Sequence, residues 1–306
     1  MARERYMRKV VRAGCTVDVQ FTYPTRYGEG LTRSKHKPDS VTPADVEAYN
    51  EELAIRKLTL LLNENFEPDD WFVTLTYEKD KRPDDIEVAK KDLRKFLSSL
   101  KRLYEQLNVS LKWIKTTAKG EKGAMHHHVV IPKGVDIRRI NEVWKNVIKA
   151  SHKARPPQYT ALYSDGEYSA LAAYICRQGV KSGNSVKNMR KFTCSRNIKK
   201  PEPEEIKMVD KVKWQEPPTP WSGYYIDQES IRAGCNPITG KPYLFYRMVK
   251  LPPTFTCYDN SGRRLTGKEA VKYYRENNKQ FIRQKWIDLN PEGEVIFKTK
   301  GIRQDE

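Results

Sequence analysis

The central part of the chain alternates between two kinds of hydrophobic repeat, and this alternation limits the fold more than any other feature. Runs rich in β-branched and aromatic residues predict four strands, at residues 71–79, 109–117, 124–132 and 158–164. Apolar residues at helical spacing predict three helices, at residues 84–108, 136–152 and 166–178. The predicted order is therefore β-α-β-β-α-β-α.

This order predicts an α+β fold of the ferredoxin-like, split βαβ type, with helices on one face of a four-stranded antiparallel sheet. The opposite face would then be free to hold a site. We expect this domain to span residues 67–200. The preceding extension, residues 1–66, should contain a helix at about 43–65, because Thr42 can cap it and Pro43 suits its first position.

The sequence changes character after Pro201. A proline-rich segment at 201–221 has the composition of a linker, a hairpin is predicted around residues 236–243, and a helix is predicted across 267–286. We therefore expect residues 201–306 to hold a linker and a small α+β region.

Positive charge dominates the composition. The 57 Lys and Arg residues outnumber the 39 Asp and Glu residues and give a formal net charge of +18. Such a surplus favours a polyanionic partner, because each neutralised phosphate releases counterions. The basic stretch 181–200 predicts a DNA track in which Phe192 can stack on a base, although a solvated loop would have the same composition. The track residues are Lys181, Lys187, Arg190, Lys191 and Arg196.

Cysteine usage and hydropathy limit the compartment. The five cysteines form no CxxC pair, which argues against a disulfide framework or a cysteine zinc site and for a reducing cytoplasm. No run approaches the ~18 apolar residues of a membrane span, and the N-terminus lacks the apolar core of a secretory signal. We expect a cytoplasmic protein with no membrane partner.

Three of the five histidines stand together in the third predicted strand. Residues two apart on a strand point to the same face, so His126 and His128 share one face and His127 points to the other. Two imidazoles at that spacing can bind one divalent cation. A histidine-rich strand end at the surface would produce the same run without a function.

The last predicted helix carries a candidate nucleophile. Tyr174 lies there with Arg177 three residues later, on the neighbouring surface. A tyrosine beside a Lewis-acidic metal can attack a phosphodiester, while Arg177 can hold the phosphate or lower the pKa of the phenol. Tyr168 lies well round the helix and Tyr163 ends a strand, so Tyr174 is the first choice, against the alternative of an ordinary surface tyrosine.

Taken together, the segments FVTLTY, GAMHHHVVI, YICR and CSRNIKKPE resemble those of the HUH endonucleases. More narrowly, they are similar to the rolling-circle replication-associated proteins of small phages, plasmids and integrative elements. The resemblance covers about residues 70 to 200. It implies that His126 and His128 hold Mg²⁺ or Mn²⁺ and that Tyr174 is the nucleophile, with Arg177 at the place of the usual lysine.

The resemblance implies strand-specific nicking and rejoining of single-stranded DNA at a replication origin, possibly read as a hairpin. The reaction would leave a 5′-phosphotyrosine and a free 3′-OH that primes synthesis, in a bacterial cell that carries the phage or mobile element. A separate helicase would unwind the DNA, because the loop-like sequence GRRLTGKE has Glu269 where an ATPase needs serine or threonine.

Three positions depart from the pattern of that family. His127 stands where a bulky apolar residue is usual. The third metal ligand, commonly a glutamate on the preceding strand, is missing, since that strand has Thr116 and Thr117, and Glu121 in the next turn is the available substitute. Arg177 keeps the charge of the usual lysine but not its proton chemistry.

Other functions stay open on the sequence. A relaxase or single-tyrosine transposase would use the same chemistry, although relaxases usually bring three spaced histidines after an N-terminal tyrosine. A non-catalytic protein of the RNA-recognition type shares the order of elements but would need exposed aromatic residues on its central strands. A basic structural or regulatory protein with an incidental histidine run is a further alternative.

Overall fold

The computed structural model describes residues 6–23, 42–120, 123–151, 154–162, 166–178, 191–209, 212, 218–235, 242–251, 256–258, 263–266, 285–289 and 295–299. The chain divides into two compact units. Unit 1 comprises residues 1–53 and 200–283, and unit 2 comprises residues 54–199 and 284–306. This division differs from the three consecutive segments expected from the sequence, because the first strands of the chain pair with strands that follow residue 200.

The helices are α1 (Pro43–Asn65), α2 (Ile86–Gln106), α3 (Ile137–Ile148) and α4 (Ser169–Gln178). The first strands are β1 (Tyr6–Ala13), β2 (Thr16–Thr22), β3 (Trp71–Thr76), β4 (Ile114–Lys119), β5 (Met125–Ile131), β6 (Gln158–Ala161) and β7 (Thr193–Cys194). The later strands are β8 (Pro203–Val209), β9 (Tyr224–Cys235), β10 (Pro242–Lys250), β11 (Thr256–Tyr258), β12 (Arg264–Thr266), β13 (Lys285–Leu289) and β14 (Val295–Thr299).

Unit 2 is built on one antiparallel sheet with the order β14-β13-β6-β3-β5-β4-β7. Strand β5 lies between β3 and β4, and β3 lies between β5 and β6. Helices α2 and α3 therefore each connect two parallel strands that have a third strand between them. The α+β class and the order of the central elements predicted from the sequence are confirmed.

Helices α2 and α3 cover one face of this sheet. Each begins at an aspartate, because the side chain of Asp85 accepts a hydrogen bond from the Glu87 N–H and that of Asp136 accepts one from the Arg138 N–H. The apolar stripes of both helices pack on the sheet to form a core. Its fully buried helical members include Leu93, Phe96, Leu100, Ile140 and Trp144.

The opposite face is also partly covered by helices, so the expectation of a free face was wrong. Helix α4 and the C-terminal half of α1 pack there, on Ile114 of β4 and Val130 of β5. Both helices carry apolar side chains whose burial this face provides. These side chains are Leu58, Leu61, Leu62, Leu171, Ala172 and Ile175. The helix that carries Tyr174 is thereby held on the face opposite α2 and α3.

Unit 1 contains a five-stranded antiparallel sheet with the order β8-β1-β2-β10-β9. The predicted hairpin is observed as the pair β9–β10. The predicted linker is wrong in part, because residues 203–209 form β8 and pair with β1. A buried ion pair joins β2 to β10, with Arg247 Nε 2.6 Å from Asp18 Oδ1.

Two further features of the chain bear on the expectations. Most of the helix predicted at 267–286 lies outside the described residues, and its last two positions belong to strand β13. Within the described part of the chain, no helix combines the length and the hydropathy that a membrane span requires.

Candidate active site

The pleat of β5 sends its three histidines to opposite faces of the sheet. His127 points towards α2 and α3, where its ring centroid lies 5.8 Å from that of Trp144. His126 and His128 lie on the other face, with ring centroids 4.9 Å apart. The structure therefore brings together the two imidazoles that the sequence singles out and separates them from the third.

His128 is only 2% exposed, yet its hydrogen bonding is incomplete. Its Nδ1 lies 3.1 Å from Thr74 Oγ1, whereas Nε2 has no hydrogen-bond partner among the residues that the structure describes. Burial, with a smaller effect of His126, lowers the pKa of His128 to about 3, so the ring is neutral. When Nδ1 donates its proton to Thr74, Nε2 carries a free lone pair, which is the form that a metal ligand needs.

His127 is fully buried and fully hydrogen-bonded. Its Nε2 lies 2.9 Å from Tyr77 Oη, and its Nδ1 lies 2.9 Å from Thr117 Oγ1. Burial is the main cause that lowers the pKa of His127 to about 3. No ring nitrogen is left for a metal, and the two hydroxyl groups explain how a histidine replaces an apolar residue here.

Tyr174 projects from α4 beside this pair of histidines. Its ring centroid lies 5.3 Å from that of His128 and 5.9 Å from that of Phe72. The side chain is 44% exposed, so it can meet a substrate, and partial burial raises the pKa of its phenol. Arg177 is exposed one turn further along the same helix. The structure thus places the candidate nucleophile against a candidate metal ligand.

The competing tyrosines have different positions. Tyr168 is fully buried in the core between α1, α4 and the sheet, and its backbone N–H donates to Asn63 Oδ1 at 3.0 Å. Its phenol is therefore closed to a substrate. Tyr163 lies outside the described residues.

The third metal ligand does not come from the place where a carboxylate was expected. Thr116 and Thr117 lie on opposite faces of β4: Thr116 Oγ1 donates to the backbone carbonyl of Lys191 at 3.0 Å, and Thr117 contacts His127. Glu121 lies outside the described residues. Across the described ranges, no group of three or more His, Cys, Asp or Glu side chains could hold a metal ion.

The predicted DNA track is described only at its end. Lys191 lies beside β4, and Arg196 is exposed in the turn after β7. Phe192 packs against the core on the α4 face, which limits the stacking role expected for it. Three track residues lie outside the described part: Lys181, Lys187 and Arg190.

Sequence reasoning missed a cleft that opens beside His126. Its volume is about 320 Å³, and it lies where the ends of β3 and β5 meet the turn between β4 and β5. Its lining consists of Thr76, Tyr77, Arg82, Gly120, Ala124, Met125 and His126. No local motif connects Arg82 with His126, and only the pairing of β3 with β5, which sets Thr76 opposite His126, could have indicated this site.

Residues 70–178 match the family model of the replication-associated protein ORF2. The match extends from the start of β3 to the end of α4 and covers just over a third of the chain. It includes the two paired histidines and Tyr174, and it supports a replication-associated protein that acts on DNA. No curated protein and no solved structure matches the chain.

Proposed function

We propose that this protein initiates rolling-circle replication by nicking and rejoining single-stranded DNA through a ferredoxin-like HUH endonuclease domain. The observation that carries the proposal is the position of Tyr174, 5.3 Å from the ring of His128. The buried Nε2 of His128 has no partner in the described part of the chain. The order of elements in unit 2 and the match over residues 70–178 support the same proposal.

A divalent cation, Mg²⁺ or Mn²⁺, would be held by Nε2 of His128 together with His126. When bound, it would polarise a non-bridging oxygen of the scissile phosphate and stabilise the charge that develops there. Two imidazoles leave further coordination positions to water and phosphate oxygens. Because Mg²⁺ prefers an all-oxygen octahedron, we expect Mn²⁺ to bind more tightly at this pair.

Tyr174 would act as the nucleophile in a transesterification. Its Oη attacks phosphorus, the new P–O bond replaces the bond to the 3′ oxygen, and that oxygen leaves as a free 3′-OH after taking up a proton. The phenol proton passes to solvent, since no acidic partner is assigned to it. Attack by a 3′-OH on the 5′-phosphotyrosine reverses the step and rejoins the strand, while Arg177 would pair with the phosphate.

The wider setting follows from the charge and the fold. The net charge of +18 suits a single-stranded DNA partner, which the track from Lys181 to Arg196 would bind. A separate helicase would open the origin, and the protein would work in the cytoplasm of a bacterium that carries the phage or mobile element. A relaxase or transposase would share the nicking chemistry but act at a different DNA site.

An adduct assay tests the proposal. The full chain is incubated with Mn²⁺ and a labelled random library of single-stranded oligonucleotides, and a covalent adduct that survives SDS is sought. We expect an adduct that Tyr174→Phe abolishes. Tyr23→Phe in unit 1 is the matched control and should keep the adduct.

The outcomes separate the alternatives. An equal adduct in Tyr174→Phe would assign the nucleophile to another residue. No adduct from any sequence, with retained DNA binding, would favour a non-catalytic nucleic-acid-binding protein.

A further inference from the structure

The cleft beside His126 lies next to the proposed catalytic centre. His126 lines the cleft, and its ring centroid is 4.9 Å from that of His128. The volume of about 320 Å³ falls at the lower end of small-molecule sites, which range over roughly 300–1,000 Å³. The space therefore suits one small unit, such as a single nucleotide.

The lining of the cleft combines a cation with apolar walls. Arg82 is exposed at the end of the short 3-10 helix Lys79–Lys81, and it makes no hydrogen bond or ion pair with any residue that the structure describes. Met125 and the ring of Tyr77 supply buried apolar surface beside it. A planar guanidinium next to an apolar wall matches a nucleotide, which has a phosphate and a flat base.

Gly120 keeps one wall of the cleft open. A Cβ atom at this position would stand 3.5 Å from the carbonyl oxygen of Ala124 and 3.9 Å from Cε1 of His126. These are ordinary van der Waals distances, so the backbone can accept a side chain. The larger side chain of valine would narrow the cleft beside His126 without a forced clash.

We propose that this cleft binds the nucleotide next to the scissile phosphate, with Arg82 on the phosphate of that nucleotide. This inference rests on the proposed nicking function, because the position of the scissile phosphate is taken from His128 and Tyr174. The cleft would hold the DNA strand in register before the reaction and would select which phosphate reaches Tyr174.

The test measures the coupling between Arg82 and single phosphates. An oligonucleotide is first selected from a random single-stranded library by retention on the Tyr174→Phe protein. Each phosphate is then replaced in turn by a neutral methylphosphonate, and the Kd is measured for Tyr174→Phe with and without Arg82→Ala. We expect one substitution to weaken binding about 5- to 20-fold, and less than about twofold once Arg82 is absent.

Three further variants sharpen this test. Arg82→Lys should keep part of the coupling, because lysine is a point charge without the planar fork of arginine. Gly120→Val should weaken binding of every oligonucleotide. Arg102→Ala on α2, outside the lining of the cleft, is the matched control and should keep the full coupling.

The selected oligonucleotide is finally given to the unaltered protein with Mn²⁺. An adduct without any phosphate coupled to Arg82 would overturn the cleft inference and leave the proposed function in place. A coupled phosphate without an adduct would support the cleft as a DNA site and contradict nicking. Retention of no oligonucleotide would contradict both proposals.

Discussion

His127 and His128 are neighbours on one strand and are both buried, but the two faces of the sheet treat them differently. On the α2 and α3 face, both ring nitrogens of His127 find hydroxyl partners. On the α4 face, Nε2 of His128 finds none among the described residues. Burial of a polar atom costs free energy unless it is hydrogen-bonded, so the second face gives up stability where the first does not.

This difference shows which histidine is structural and which is available for chemistry. The α2 and α3 face is a continuous core around Trp144 and Val129. The α4 face is a core only as far as Val130, beyond which His128 and the half-exposed Tyr174 replace apolar contacts. Sites that depart from the rules of stable packing are expected to be functional sites.

The largest expected effect comes from His128→Leu, which keeps the size of the side chain and removes the proposed ligand. We expect the rate of adduct formation with Mn²⁺ to fall at least about 100-fold. The free energy of unfolding, from urea denaturation without metal, should stay equal or rise, because an unpartnered buried nitrogen costs about 1–3 kcal/mol. A variant that keeps its adduct would remove His128 from the site.

The complementary change, His127→Leu, should act on stability. It leaves the Tyr77 hydroxyl buried without its partner, so the free energy of unfolding should fall by about 1–3 kcal/mol. Below its melting temperature, the variant should lose less than about tenfold in adduct rate. The double variant with Tyr77→Phe should recover most of the stability, since both partners are then apolar. Loss of the adduct at unchanged stability would instead make His127 catalytic.

The smallest effects are expected from the threonine partners of the two histidines. Thr74→Val removes the contact to Nδ1 of His128 and should weaken Mn²⁺ binding about tenfold, measured by titration of the melting temperature. Thr117→Val, which removes the contact to His127, is the matched control and should lower stability without changing Mn²⁺ affinity. Chelation of the metal should cancel the thermal shift in both variants. Equal Mn²⁺ affinities would contradict a role of Thr74 in orienting His128.

The sequence predicted those features that depend on local periodicity. The helix at residues 43–65 has the predicted bounds, and the alternation along β5 separates His127 from its neighbours. Pairing over long distances escaped it. The partner of His127 is Tyr77, in another strand, and the packing of α1 and α4 on one sheet face depends on residues far apart in the chain.

The missed strand β8 has a composition that disguises it. Its first residue is Pro203, and glutamates follow, so the segment resembles a linker. An edge strand accepts proline at its first position and charge on its open side, and β8 lies at the edge of the unit 1 sheet. The pairing with β1 therefore decides its structure.

The seating of α4 has a consequence for how this protein must be kept intact. Helix α4 has ten residues, and its apolar side chains rest partly on Leu58, Leu61 and Leu62 of α1. These leucines precede residues 70–178, the segment shared with replication-associated proteins. The shared segment carries the reactive groups, but the aim of Tyr174 is set from outside it. A fragment that starts at residue 67 would keep the chemistry and lose the support that directs it.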